Sequence, residues 1–169
     1  MLALVLLYVG AVLVLNALWL FGHIDDHEIA VMNFFTGGLG LLVALYLAFV
    51  KGDPASIANS AFMLLFAFTY LWVAVNRYNG SDGRGLGWYS LFVAITAAPT
   101  GYLTLASASS VWGWWLGINW LLWAVLWFLF FVLLALQKPI VKLTATFTLL
   151  VGVFTCWLPA YLLLSGIMK

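Results

Sequence analysis

Residues 116–136 read LGINWLLWAVLWFLFFVLLAL, with no charge, no proline, and tryptophans at 120, 123 and 127. A hydrocarbon core of about 30 Å takes about 20 helical residues to cross, so this stretch has the length and polarity of one membrane span. The i, i+3, i+7 spacing puts Trp120, Trp123 and Trp127 on one helical face. Tryptophan normally collects at the membrane surface. A stripe of it carried to mid-depth needs something to face, either a packed neighbour or a lumen.

The rest of the chain is of the same kind. It has 169 residues, 67% hydrophobic and 7% charged, a composition outside the soluble classes. Scattered charges and turn residues divide it into six stretches of membrane length, about 2–21, 29–50, 57–76, 86–105, 116–136 and 143–165. The fold class is therefore an all-α integral membrane protein, a single six-helix domain over 1–169. It is expected to form three successive hairpins (helices 1–2, 3–4 and 5–6) around a central pore. The connections are short, which leaves no aqueous domain and places the function inside the bilayer. The first span lacks a basic n-region and a small-residue cleavage site and is too long for an h-region, so it reads as a helix and not as a secretory signal. A single cysteine, Cys156, excludes a disulfide framework within one chain and reads as a small buried apolar residue.

Basic residues in short loops stay on the cytoplasmic side. Arg77, Arg84, Lys138 and Lys142 follow helices 3 and 5, whereas the opposite side carries Lys51 and Lys169. Both termini are accordingly predicted outside. Helices 1, 3 and 5 then enter from one side, and residue counts become depths at about 1.5 Å per residue. Leu13 and Asn16, Phe66 and Tyr70, and Trp127 fall at one level, roughly 14–21 Å in. A column of aromatics on helix 3 should face the column on helix 5. Thr36, Gly37, Gly38 and Gly40, and Ala94, Ala97 and Ala98, offer small faces where helices can approach. Pro99 and Pro159, near helix ends, are assigned to shape.

An ionisable residue deep in a membrane is costly and marks function by default. Asp25, Asp26, Glu28, Asp53 and Asp82 all map to loops or span edges, which removes the carboxylate relay an ion-motive transporter needs. No serine–histidine or histidine–glutamate pair falls within a span, which argues against an intramembrane hydrolase, and no enzyme activity, cofactor, metal or nucleic-acid partner is expected. His23 and His27 stand at i, i+4 among acids before helix 2, a spacing open to a metal site or a pH sensor, against which stands a solvated loop whose acids suit the N-terminus of helix 2. Trp112, Trp114 and Trp115, ahead of helix 5, read as a surface belt.

Neutral polar and aromatic residues remain. A buried indole or phenol usually finds a hydrogen-bond partner. Trp123 and Trp127 therefore either bond to a neighbouring helix or line a wet lumen. A slot walled by aromatic faces, with Asn16, Asn33, Thr69, Tyr70 and Thr155 as donors and acceptors, suits a small, flat, uncharged solute such as urea or a short amide. Ions would lose hydration there without replacement.

Six segments in order carry a further signal: MLALVLLYVGAVLVLNALW (1–19), AVMNFFTGG (30–38), LLFAFTYLWVAVN (64–76), GWYSLFVAITAAP (87–99), WLLWAVLWFLFF (120–131) and FTCWLPAYLLL (154–164). Over nearly its whole length the chain resembles the AmiS/UreI family of bacterial urea channels and amide transporters. The resemblance implies three hairpins around a pore in each protomer, a homo-hexameric ring among the lipids of the bacterial inner membrane, and passive passage of urea or short-chain amides. It also implies constrictions at Phe66, Tyr70, Trp123 and Trp127, with Trp120 lining the approach. Departures are equally informative. A proton-gated member of the family has long, histidine-bearing extracytoplasmic loops, whereas here the corresponding connections are Lys51–Ser56 and Ala106–Trp115, without histidine. Val151 stands where that member carries a glutamate. The expected function is a channel not gated by acid, feeding a cytoplasmic urease or amidase. The competing readings are a proton-coupled amide transporter and a scaffold whose tryptophans only pack helices. These residues do not separate urea from formamide or acetamide.

Overall fold

A computed structural model describes residues 1–168, and Lys169 lies outside the described residues. Six helices cross in alternation: α1 Leu2–Leu20, α2 Asp26–Lys51, α3 Pro54–Asn79, α4 Arg84–Ala106, α5 Val111–Ala135 and α6 Val141–Leu164. Each is long and apolar enough to span a membrane. Local chemistry sets their ends. The side chains of Asp25, Asp53 and Ser110 accept backbone N–H bonds from His27, Ser56 and Gly113, capping α2, α3 and α5. The cap at Ser110 starts α5 five residues before Leu116, so Trp112, Trp114 and Trp115 lie within its first turns instead of preceding it. Gly80 ends α3 in the left-handed region, with φ 67°. Three helices contain π-helical turns, at Tyr46–Lys51, Phe131–Ala135 and Gly152–Trp157.

The pairing of helices differs from the expected hairpin frame. The close antiparallel pairs are α2 with α3, α4 with α5, and α6 with α1; the seams α1/α2, α3/α4 and α5/α6 are looser. Small residues decide this, because helices in lipid associate through packing and not through the hydrophobic effect. A Cβ on Gly37 would meet the Ala67 carbonyl oxygen of α3 at 2.9 Å. One on Gly87 would meet the Ala135 backbone nitrogen of α5 at 2.5 Å, and one on Gly152 the Leu13 Cβ of α1 at 2.8 Å. Short loops join successive helices alike and none joins α6 to α1, so it is the glycine faces that choose the partner. Two residues read as packing positions look elsewhere: a Cβ on Gly38 would enter open space, and Ala98 is exposed.

Each odd helix is thus backed by an even one, and the odd helices turn their inner faces to a common axis. At the end holding Arg77 the ring is tied by polar contacts. The Trp19 indole N–H donates to Asp26 at 2.6 Å, the Arg77 guanidinium pairs with the same carboxylate at 3.4 Å, and it lies 5.2 Å over the Trp19 ring. The His27 ring meets Tyr78 edge-on at 6.1 Å. Asp26 and His27 of the acidic knot thus touch the end of α3, while all five of its residues, His23, Asp25, Asp26, His27 and Glu28, remain exposed to solvent.

Candidate functional site: an aromatic waist between two cavities

Two cavities lie along the axis between the odd helices. The larger, about 340 Å³, opens at the end holding Met1 and is bounded by α1, α3, α5, Leu47 of α2 and the Thr100–Thr104 stretch of α4. The smaller, about 30 Å³, lies deeper. It has room for little more than a water or two. Val9, Phe66 and Trp123 border both, so they form the waist that divides them.

Phe66 is the hub of that waist. Its ring centroid lies 5.6 Å from Trp120, 5.0 Å from Trp123 and 4.8 Å from Trp127, each pair edge-to-face. In this geometry the positive edge of one ring meets the negative face of the other. The i, i+3, i+7 tryptophans of α5 therefore converge on one side chain of α3. Trp120 also packs edge-on to Phe62, one turn before Phe66, at 5.6 Å.

The sequence-derived residues fall into two layers. Leu13, Asn16, Phe66, Thr69, Tyr70, Trp123 and Trp127 surround the smaller cavity, and Trp120 joins Trp123 and Phe66 on the larger. Asn33 and Thr155 touch neither cavity, because each is consumed in bracing a lining residue. Asn16 and Asn33 exchange amide hydrogen bonds of 3.2 and 2.7 Å, and Asn33 also donates to the Ile29 carbonyl at 2.9 Å. The Trp123 indole N–H donates to the Thr155 hydroxyl at 2.8 Å. Trp123 thus does both things that had seemed alternatives: it bonds to a neighbouring helix and it borders the cavities. Among the described residues the Trp127 indole N–H and the Tyr70 hydroxyl have no hydrogen-bond partner, and neither is sealed from the cavity they border. They are free to bond to whatever enters.

Val9, Phe62, Phe130 and Ser90 also line the cavities and were not singled out from the sequence. Val9 and Phe62 were within reach, since each sits one turn from a chosen residue, Leu13 or Phe66. Ser90 was not, because it comes from an even helix and its hydroxyl bonds back to the Leu86 carbonyl.

Among the described residues no charged side chain lines either cavity, and no cluster of side chains suited to a metal ion occurs. Charges stay at the helix ends. The Ser56 hydroxyl and backbone N–H hold the Asp53 carboxyl below its ordinary value, and the backbone N–H and guanidinium of Arg84 do the same for Asp82.

Comparison with known proteins gives the chain its family. The sequence profile of the AmiS/UreI family transporters matches residues 1–167. The chain belongs to the AmiS/UreI family. It is 43% identical over 164 residues, 95% of this chain and 75% of the other, to a Mycolicibacterium smegmatis protein named for transport of amidate substrates. It is 40% identical, over 96% of this chain and 97% of the other, to the acid-activated urea channel of Helicobacter pylori. That alignment runs to 190 positions, longer than the 169 residues here, so the relative carries insertions. The closed-state structure of the Helicobacter pylori urea channel superposes with a TM-score of 0.90 at 38% identity over the whole of both chains. The crystal structure of that channel gives 0.86. The AmiS/UreI chain described here is thus a multi-pass membrane protein whose relatives are transporters and channels and not enzymes.

Proposed function

We propose that this AmiS/UreI protein is a passive channel for urea and short-chain amides, operating without an acid gate. It delivers its solute across the bacterial inner membrane to a cytoplasmic urease or amidase. The observation that carries this is the waist itself. Phe66, Trp123 and Val9 form a thin apolar division between two axial cavities, flanked on its deeper side by the unpartnered Trp127 N–H and Tyr70 hydroxyl. A flat neutral solute can lay its face on the rings and give or take hydrogen bonds at their edges. An ion has neither carbonyl nor carboxylate to replace its water. The pore-lining set is Leu13, Asn16, Phe66, Thr69, Tyr70, Trp120, Trp123 and Trp127, with Asn33 and Thr155 bracing it. The six helices act as one channel domain, both termini face outward, and protomers assemble as a homo-hexamer.

Purified protein in liposomes tests this reading. Urea and acetamide flux is measured at neutral and acidic pH, with and without a proton gradient. Equal flux under all conditions is expected, whereas strict acid dependence or gradient-driven accumulation overturns the proposal. Trp127→Ala separates a pore from a scaffold. Permeation is expected to be lost from a normally assembled protein, and unchanged flux would refute a lining role.

A further inference from the structure

Trp123 is the waist residue whose polar edge is fixed by another helix, and the fixing is built in layers. Its indole N–H donates to the Thr155 hydroxyl at 2.8 Å, and that hydroxyl donates onward to the Val151 carbonyl at 2.6 Å. The single hydroxyl hydrogen is therefore spent on α6, which leaves the oxygen as an acceptor facing the indole. Thr155 is itself held from α5. Pro159 has no N–H, so the Thr155 carbonyl four residues earlier lacks its α-helical donor. The Asn119 amide supplies a donor to that carbonyl at 2.8 Å. One turn further back, the Trp115 indole N–H donates to the Phe154 carbonyl at 3.2 Å. Trp115, Asn119 and Trp123 thus grip the π-helical turn of α6 with one i, i+4, i+8 face of α5.

Asn119 and Thr155 are 1% and 2% exposed and border neither cavity, so neither meets the permeant. We propose that the Asn119–Thr155 pair positions Trp123, holding its indole in the orientation that narrows the waist against Phe66, and so sets the largest solute that crosses. This rests on the lumen being a permeation path. Selectivity then depends on a hydrogen bond the permeant never touches. Without it the indole is held by ring contacts and by the neighbouring Cys156 sulfur alone, and other rotamers that widen the waist become populated.

Thr155→Val removes the hydroxyl at nearly constant volume, and Thr155→Ser keeps it. Flux of urea and of the bulkier N,N-dimethylurea is measured in liposomes, together with the indole ¹H–¹⁵N resonance of Trp123, assigned by its loss in Trp123→Phe. The dimethylurea-to-urea flux ratio is expected to rise about two- to tenfold in Thr155→Val, the rotamer redistribution that losing one hydrogen bond allows. The Trp123 resonance should shift in the same variant, and Thr155→Ser should restore both. Should Thr155→Val fail to assemble, Trp123→Phe, which deletes the donor and keeps a ring, is expected to raise the same ratio. An unchanged ratio, or equal changes in the Val and Ser variants, overturns the positioning role. Absence of urea flux in the wild-type protein would instead overturn the channel reading, so the two failures are distinguishable.

Discussion

Phe66→Ala is the perturbation that bears most directly on the waist. The ring makes three edge-to-face contacts, with Trp120, Trp123 and Trp127 at 5.6, 5.0 and 4.8 Å. Such pairs contribute about 0.5–1.5 kcal/mol each beyond simple burial, so their joint loss amounts to about 1.5–4.5 kcal/mol. Because the three contacts share one ring, they are not independent, and the lower half of that interval is expected. Phe66 borders both cavities, so its removal joins them into one. Stability should fall while the aperture widens, the opposite of what a collapsed core would do to transport. The assay pairs unfolding in detergent micelles with flux of urea and N,N-dimethylurea in liposomes. Expected are a lower unfolding midpoint, retained urea flux and a clear gain in dimethylurea flux, with Phe66→Leu between the two. If Phe66→Ala excludes dimethylurea as the wild type does, Phe66 does not form the constriction and the waist has been misplaced.

Other consequences follow from the bracing layer and the seams. Asn33→Leu leaves the buried Asn16 amide without its reciprocal partner and should cost about 1–3 kcal/mol in unfolding experiments, whereas the Asn16→Leu/Asn33→Leu pair should recover part of that loss. Gly152→Ala brings a Cβ to 2.8 Å from the Leu13 Cβ and 3.2 Å from the Val14 nitrogen, an overpacking expected to cost about 1–3 kcal/mol, while Gly38→Ala, which meets nothing within 4 Å, should be neutral. Asp53 has its carboxyl held below the ordinary value by Ser56. Its contribution to stability is therefore full above about pH 4 and is lost as pH falls through the lowered folded value. Thermal scans should be flat with respect to this group from neutral down to that point, and Asp53→Asn should blunt the fall below it.

The sequence disclosed the spans because a bilayer imposes its thickness on every one of them. It also disclosed the level at which Leu13, Asn16, Phe66, Tyr70 and Trp127 meet, because helical rise turns residue number into depth. Lateral partnership was less legible. Glycines on α2 announce that some helix comes close, but only the folded ring shows that Gly37 meets α3 while Gly38 meets nothing. Polar residues suffered the same ambiguity. A threonine or asparagine in a span reads as a lumen group, yet Thr155 and Asn33 spend their bonds one layer back, on Trp123 and Asn16. Asn119 gave no depth signal of its own. Its partner is a carbonyl left without a donor by Pro159, a pairing that links residues 36 positions apart.

The close approach of α6 to α1, through Gly10 against Trp157 and Gly152 against Leu13, joins the first of the six helices to the last. The pairs α2/α3 and α4/α5 are complete as soon as each has been synthesised, but among the six helices α1 precedes and α6 follows all the others. Until α6 arrives, α1 presents Gly10 and a half-built wall to lipid or to chaperones. A chain without α6 would lack the helix that packs on α1 and the acceptor for Trp123.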